Sequence, residues 1–365
     1  MKILFKIIFL NYLLSIHGCS FSTEDRRKFQ VSRLYSLMGV LEWSENDSTP
    51  FYGKYEGEIE NDKPSGKGEI TYPNGSKYTG TWYMGKRNGK GTFTSNDEGE
   101  YVGQWLNGKR NGQGTSVSID GEKYIGEWKN DKKNGHGTFT SSLGEEYVGR
   151  WKNGKRNGYG VFYSENGQSY RGYWLNGQRN GHGTSTSSDG SRYVGYWIND
   201  MKNGLGTEIY QVGAKYIGSW MNGKKHGQGT FTYPDGAKYI GKWENGQKNG
   251  NGKETFPSGN NYEGEFKNGK RSGQGILISS DGEKYVGKFS NGEMEGRGKF
   301  TWPDRREYIG EWKNGKRSGY GTYTLPDGIK FVGEFLSGKL LNATVYTKKG
   351  QILGKFIDGI YERNN

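Results

Sequence analysis

Three kinds of residue in this chain invite a chemical reading. The first is a Gly-x4-Gly-Lys spacing, present as Gly80-x4-Gly85-Lys86, Gly103-x4-Gly108-Lys109, Gly149-x4-Gly154-Lys155 and Gly310-x4-Gly315-Lys316. A phosphate-binding loop of that form needs Ser or Thr after the Lys to hold Mg²⁺, and a helix whose first N–H groups converge on the phosphate. Arg follows each Lys here and an aromatic-rich strand pattern runs through the middle, so no nucleotide site is expected. The second kind is His136, His182 and His226, which lack the close, convergent partners that metal ligation demands and read as surface substitutions. The third is a recurrent Asp, at Asp120, Asp189, Asp235, Asp281 and Asp327, each followed by Gly. A lone Asp beside Gly serves a tight turn better than it serves calcium, which takes several oxygen ligands. No Ser/His/Asp grouping stands out. The expectation is a non-enzymatic chain with no catalytic residue, no metal and no cofactor.

The elements that carry these residues follow from a period. Tyr occupies positions 55, 78, 101, 124, 147, 170, 193, 216, 239, 262, 285 and 308, and Phe331 takes the next place, always 23 residues on. Counting Tyr as position 1, Gly fills position 3 in all thirteen repeats and positions 12 and 14 in the first twelve, while position 5 is Trp in nine and Phe in three. Such a period signals an array of supersecondary units that bury their apolar face only by stacking. Within a repeat the pattern Tyr-x-Gly-x-Trp, with Val or Ile often at position 2, alternates with the period of a strand. Asn-Gly at positions 7 and 8, as in Asn107-Gly108, and Asp-Gly near the end, as in Asp235-Gly236, supply the positive φ of hairpin turns. Each repeat therefore reads as one β-hairpin, with the glycines at positions 3, 12 and 14 leaving room for rings over the backbone. At two strands per repeat the array would run on the order of 120 Å.

The run Tyr147-Val148-Gly149-Arg150-Trp151-Lys152-Asn153-Gly154-Lys155-Arg156-Asn157-Gly158-Tyr159-Gly160 is similar to the MORN (membrane occupation and recognition nexus) repeat. The resemblance implies an all-β, elongated, twisted antiparallel β-meander or solenoid. It also implies scaffolding, protein interaction, self-association and, in some members, proximity to lipid. Accessory roles beside phosphoinositide kinases or SET-type methyltransferases occur in the family, but the array at 55–353 leaves no room for such a domain here. A partial repeat at 354–365 closes the array as a C-terminal cap. Residues 19–54 form a linker in which Thr23-Glu24-Asp25, followed by Leu34, Leu37, Met38 and Leu41, predicts a short N-terminal helix over 26–41 that caps the first hairpin.

Composition agrees with this architecture. Gly contributes 64 of 365 residues, roughly 18% against a usual value of about 7%. Aromatics at 15% exclude a disordered low-complexity chain, and 7 Pro exclude collagen. One Cys excludes a disulfide framework. That Cys19 follows a basic start (Lys2, Lys6) and an apolar run from Ile7 to Ile16, too short to span a bilayer, so residues 1–18 read as a secretory signal peptide. Ile16-His17-Gly18-Cys19 resembles the lipobox of bacterial lipoproteins, in which the Cys is lipidated, although His17 stands where that motif carries a small residue. Ser20 after the Cys resembles the outer-membrane sorting state. The expected location is outside the cytoplasm, as a bacterial outer-membrane or cell-surface lipoprotein, or otherwise as a periplasmic or secreted protein.

Two surface features carry the partner readings. Positions 9 and 10 form a basic ladder, Lys86/Arg87, Lys109/Arg110, Lys132/Lys133, Lys155/Arg156, Lys224/Lys225, Lys270/Arg271 and Lys316/Arg317, in a chain of formal charge +13. The ladder either keeps a sheet edge soluble or engages anionic lipid or acidic polysaccharide; nucleic acid is a poor partner for an exported chain. Positions 4 and 6 point away from the aromatic stripe and are charged in most repeats. In repeats six to eight they carry Tyr173, Leu175, Tyr196, Ile198 and Met221, joined by Val194 and Ile217 at position 2. Such a cluster would expose several hundred Å² of apolar surface and predicts self-association or a protein partner. If Cys19 is the lipid attachment site, Cys19→Ala should move the mature protein from the membrane fraction to the soluble fraction and abolish incorporation of labelled fatty acid.

Overall fold

Alternation along each repeat decides which side chains meet. In the strand Lys215–Met221, Tyr216, Gly218 and Trp220 are buried, whereas Lys215, Ile217 and Met221 on the other face are exposed. The same alternation recurs in Arg192–Ile198 and Lys238–Glu244. The computed structural model describes residues 40–43 and 53–364. The chain divides into two compact units, 1–155 and 156–365. Each is an antiparallel meander in which consecutive strands pair, with no helix among the described residues.

Hairpins are closed by two kinds of turn. Leu106 pairs with Lys109 around Asn107 and Gly108, whose φ values of 51° and 80° give the mirror-image two-residue turn that matches strand twist. These turns stack: the Gly108 N–H donates to the Arg87 carbonyl, and the Gly223 N–H to that of Lys202, both at 2.9 Å. The other loop spans 233–237, where the Tyr233 N–H donates to the Ala237 carbonyl and the Asp235 carboxylate accepts from the Ala237 N–H at 2.9 Å. The recurrent Asp thus works within its turn.

A row of glycines crosses each meander perpendicular to the strands. In the second unit position 3 pairs with position 14 of its own repeat, as Gly218 does with Gly229, and position 14 pairs with position 3 of the next, as Gly229 does with Gly241. Over this row lies the Tyr of position 1. A Cβ on Gly218 would sit 2.5 Å from the Gly229 Cα, and one on Gly229 would sit 2.6 Å from the Tyr216 ring. Position 12 has a different reason for being Gly. Gly227 has φ of 64° and faces the Ser219 side chain, opposite the rings. It lies in a β-bulge between the pairs Gly218↔Gly229 and Trp220↔Lys225. The bulge frees the position 4 carbonyl, and the Tyr hydroxyl takes it: Tyr216 donates to the Ser219 carbonyl at 2.9 Å, Tyr239 to Lys242 at 2.9 Å and Tyr101 to Gln104 at 3.0 Å.

Rings continue the order from repeat to repeat. Tyr193 meets its own Trp197 edge-to-face at 5.2 Å and the next repeat's Trp220 at 5.4 Å. In the first unit Tyr101 does the same with Trp105 at 5.1 Å and Trp128 at 5.3 Å. Each such pair contributes about 0.5–1.5 kcal/mol beyond area burial.

Both ends depart from the sequence expectations or fall outside the described residues. Leu41, placed at the end of the expected capping helix, lies in the strand Val40–Trp43, which pairs antiparallel with Gly53–Glu60. An edge strand therefore covers the first hairpin at that point, because its backbone groups complete the ladder that Gly53–Glu60 would otherwise leave open. The rest of that helix, the signal peptide at 1–18 and Cys19 lie outside the described residues. At the other end Phe331 lacks the hydroxyl, and the bulge changes: Gly333 pairs with Ala343 and Glu334 with Asn342. The last hairpin joins Ile352–Ile357 to Ile360–Arg363.

Burial pushes the position 1 hydroxyls up to about 12 in Tyr55, Tyr101, Tyr216, Tyr262, Tyr285 and Tyr308, and further still in Tyr124, Tyr170, Tyr193 and Tyr239. A group whose folded pKa lies above its unfolded one contributes stability in full below the unfolded value and loses it as pH rises through the folded value. Stability should therefore be flat with respect to these groups below pH about 10 and fall steeply through about 12. Tyrosinate absorbance and circular dichroism should report one coincident transition for these buried side chains.

Candidate functional site

The doublet at positions 9 and 10 is split by the strand that carries it. Position 9 is exposed in every member of the ladder, at Lys86, Lys109, Lys132, Lys155, Lys224, Lys270 and Lys316. Position 10, one residue on, turns to the opposite face and lies half-buried over the rings. Arg87 lies 4.4 Å from the Trp105 ring, Arg110 4.5 Å from Trp128, Lys133 4.1 Å from Phe139 and Arg156 4.9 Å from Phe162. Lys225, Arg271 and Arg317 sit likewise over Phe231, Tyr262 and Tyr323. Half of the supposed polyanion edge thus caps the aromatic face. The same row includes Arg179 over Trp197 at 4.1 Å, Lys202 over Trp220 at 4.8 Å and Lys248 over Tyr239 at 5.1 Å. Sequence reading missed these three because position 9 is Gln or Met there; position 10 read alone would have found them.

Burial in this row tunes the cations. Lys225 is held below the usual ammonium range by desolvation among Tyr210, Tyr216, Phe231 and Trp243, with Lys202 adding repulsion and Glu208 opposing. Desolvation also pulls on Lys248, but hydrogen bonds to Glu254 and Tyr233 outweigh it and raise its pKa. Glu254 accepts from Lys248 at 2.6 Å and from Arg271 at 3.1 Å, and Glu208 pairs with Lys202. Both carboxylates stand at position 16, a place that Phe93, Phe139, Phe162, Phe231 and Phe300 fill elsewhere.

Where position 16 is Ser, the aromatic face opens. A cavity of about 360 Å³ in the first unit is lined by Ser116, Arg110, Trp128 and Phe139, and one of about 630 Å³ in the second by Ser185, Arg179, Trp197 and Phe162. The guanidinium that would meet a Phe there turns to an acid in the next turn instead: Arg179 contacts Asp200 at 3.1 Å and Arg110 contacts Asp131 at 3.5 Å.

On the outer face of the second unit the expected apolar cluster is accessible. Tyr173 (53%), Leu175, Tyr196 (54%), Ile198, Ile217 and Met221 are exposed, and Val194 is half-buried. Register adds residues that sequence reading left out, since position 13 pairs with position 4 of the next repeat. Tyr159 stands opposite Tyr173, His182 opposite Tyr196 and Leu205 opposite Ser219. Tyr159 and Tyr173 meet edge-to-face at 5.6 Å, and His182 and Tyr196 at 5.5 Å. His136 and His182 are exposed as expected, but His226 is half-buried in the bulge with its Nδ1 lacking a partner, which corrects its reading as a surface substitution. Among the described residues no group of three or more His, Cys, Asp or Glu side chains gathers to hold a metal, and no helix is long and apolar enough to cross a membrane.

Comparison with known proteins adds the following. The MORN repeat profile matches twelve segments, residues 55–77, 78–100, 101–123, 124–142, 147–169, 170–192, 193–215, 216–238, 239–261, 262–284, 285–305 and 308–330. No curated protein matches the chain. Among solved structures, the TCP domain of SAS-4 from Drosophila melanogaster, in complex with a proline-rich motif, is 13% identical, with 48% of this chain and 89% of that one covered and a TM-score of 0.25. The TCP10 domain of CPAP from Danio rerio, in complex with a peptide, is 8% identical over 70% of this chain and 99% of that one, with a TM-score of 0.31. Overlaps this loose carry no argument about this chain.

The two positions of the ladder should separate by stability. Arg87→Gln is expected to lower the urea midpoint by an amount equal to about 1–2 kcal/mol, the worth of a desolvated cation over rings, whereas Lys86→Gln should cost under about 0.5 kcal/mol.

Proposed function

The chain belongs to the MORN repeat family, and from that premise we propose that it works as a non-enzymatic scaffold whose second unit docks a protein, either a partner or another copy of itself. The observation that carries this reading is the outer-face cluster. Six of the seven side chains read from sequence are exposed there, flanked by exposed Tyr159 and Leu205. Large aromatic and aliphatic groups left exposed and held rigid on strands lose little entropy on binding, and Tyr serves well as an anchor. Export and lipid attachment at Cys19 belong to the same proposal and rest on the sequence. They would present the array outside the cytoplasm.

Binding of anionic lipid or acidic polysaccharide is the second reading. What favours it is the exposed Lys at position 9. The withdrawal of position 10 onto the rings weakens it, since the edge then offers one cation per repeat where sequence reading counted two.

Tyr196→Lys combined with Ile198→Lys should abolish self-association or capture of a partner, followed by analytical sedimentation and affinity capture, while circular dichroism stays unchanged. Lys109, Lys132, Lys224 and Lys270 changed together to Gln should leave that association intact. Loss of association in the lysine variant alone, with steep weakening by salt, would transfer the function to the edge.

A further inference from the structure

We propose that the cavity over Ser185 binds a free aromatic acid, whose ring takes the place that Phe fills in neighbouring repeats. The neighbours show what fits. At position 16 Phe162 packs against Trp174 at 6.5 Å and Phe231 against Trp243 at 6.1 Å, each with the position 10 cation of its repeat over it. Ser185 presents no ring to Trp197, although Arg179 still lies 4.1 Å from that indole and 5.7 Å from Tyr170. Two rings and a guanidinium are thus arranged for a third ring that the chain does not supply. The opening of about 630 Å³ lies within the usual range of ligand sites.

Two further observations point the same way. Trp197 is 3% exposed and its indole N–H has no acceptor, whereas Trp174 and Trp243 donate to the carbonyls of Gly160 and Gly229. Trp220, which follows Glu208, shares this lack, whereas Trp128 beside Ser116 donates to the Gly114 carbonyl, so the unpaired N–H sets the site over Ser185 apart from the one over Ser116. Charge then selects the substituent. The wall carries Arg156, Arg179 and Lys202 against Asp200, and Lys202 also pairs with Glu208, so the positive charges exceed the negative by one even with both acids counted. The cavity over Ser116 differs: Arg110, Lys123, Lys132 and Lys133 are balanced by Glu98, Glu100, Glu122 and Asp131. An aromatic carboxylate is matched to the cavity over Ser185 and has no electrostatic advantage in the one over Ser116.

The test titrates benzoate against the intact mature protein by calorimetry and by saturation-transfer NMR. Cyclohexanecarboxylate serves as the acid without a π face and benzyl alcohol as the ring without a charge. Benzoate should bind with a Kd of about 1 mM, as a fragment of this size can, and both comparators should bind at least about fivefold more weakly, a difference of about 1 kcal/mol. Ser185→Phe, which fills the place from within, should weaken benzoate at least about tenfold; Ser116→Phe should leave it unchanged. Should Ser185→Phe fail to fold, Arg179→Gln provides the second arm, with the same direction of effect. Equal benzoate affinity in wild type and Ser185→Phe, equal affinity for cyclohexanecarboxylate, or no saturable binding by wild type would each overturn the proposal. Tighter binding of a blocked Phe-Asp dipeptide than of benzoate would overturn the free acid in favour of a ring borne by a polypeptide.

Discussion

The hydrogen bond from the position 1 Tyr hydroxyl to the position 4 carbonyl is the constraint on which the rest depends. It requires a bulge, because a carbonyl engaged in a regular ladder would be taken by the neighbouring strand. It requires the ring to lie flat enough over the strand for its hydroxyl to reach three residues along, and hence glycine at positions 3 and 14 beneath it. Tyr216 illustrates the coupling: its hydroxyl meets Ser219 at 2.9 Å, and a methyl group on Gly229 would collide with its ring at 2.6 Å. A repeat with the hydroxyl missing shows the converse. At Phe331 the glycines of positions 12 and 14 are gone, and Gly333 pairs with position 13, at Ala343, where Gly218 pairs with position 14, at Gly229.

One face of each meander must be dry without a second layer to cover it. Rings accomplish part of this by alternating edge-to-face from Tyr to Trp along the repeats. Cations accomplish the rest, since a Lys or Arg at position 10 can cover rings with its stem and its charged head while keeping some contact with water. That explains why so basic a chain tolerates so much aromatic surface. It also explains why Met294 is admissible at position 10 in one repeat: rings on this face need apolar cover as much as charge.

Much of this was legible in the sequence because periodicity of 23 and alternation of two act together. Tyr, Gly and Trp at positions 1, 3 and 5 announce the buried face, and the outer positions of repeats six to eight stand out as apolar against charged counterparts. The ladder was misread at position 10 because two adjacent cations look like one basic patch until alternation is carried across the turn. Gly at position 12 looked like its partners at 3 and 14, yet its role is a left-handed backbone within the bulge. Residue type alone cannot separate a glycine that makes room from one that bends the chain. At Leu41 an apolar spacing suited to a helix gives way to strand pairing, since an open sheet edge offers backbone partners that a local pattern does not reveal.

The repeat fixes what cannot vary and so concentrates difference in few places. Position 1 is committed to the carbonyl, positions 3 and 14 to clearance, positions 7 and 8 to the turn and position 10 to covering the rings. Position 16 is not bound by any of these, although it lies on the same face between the Tyr of its own strand pair and the Trp of the next repeat. There the chain carries Phe, Ser, Glu, Leu, Tyr or Ile. Phe completes the ring array, Glu at 208 and 254 converts it to an ion-paired centre, and Ser at 116 and 185 opens it. Because every substitution is read against the same surrounding rings and cation, a single residue per repeat writes a distinct local chemistry onto a face whose backbone does not change.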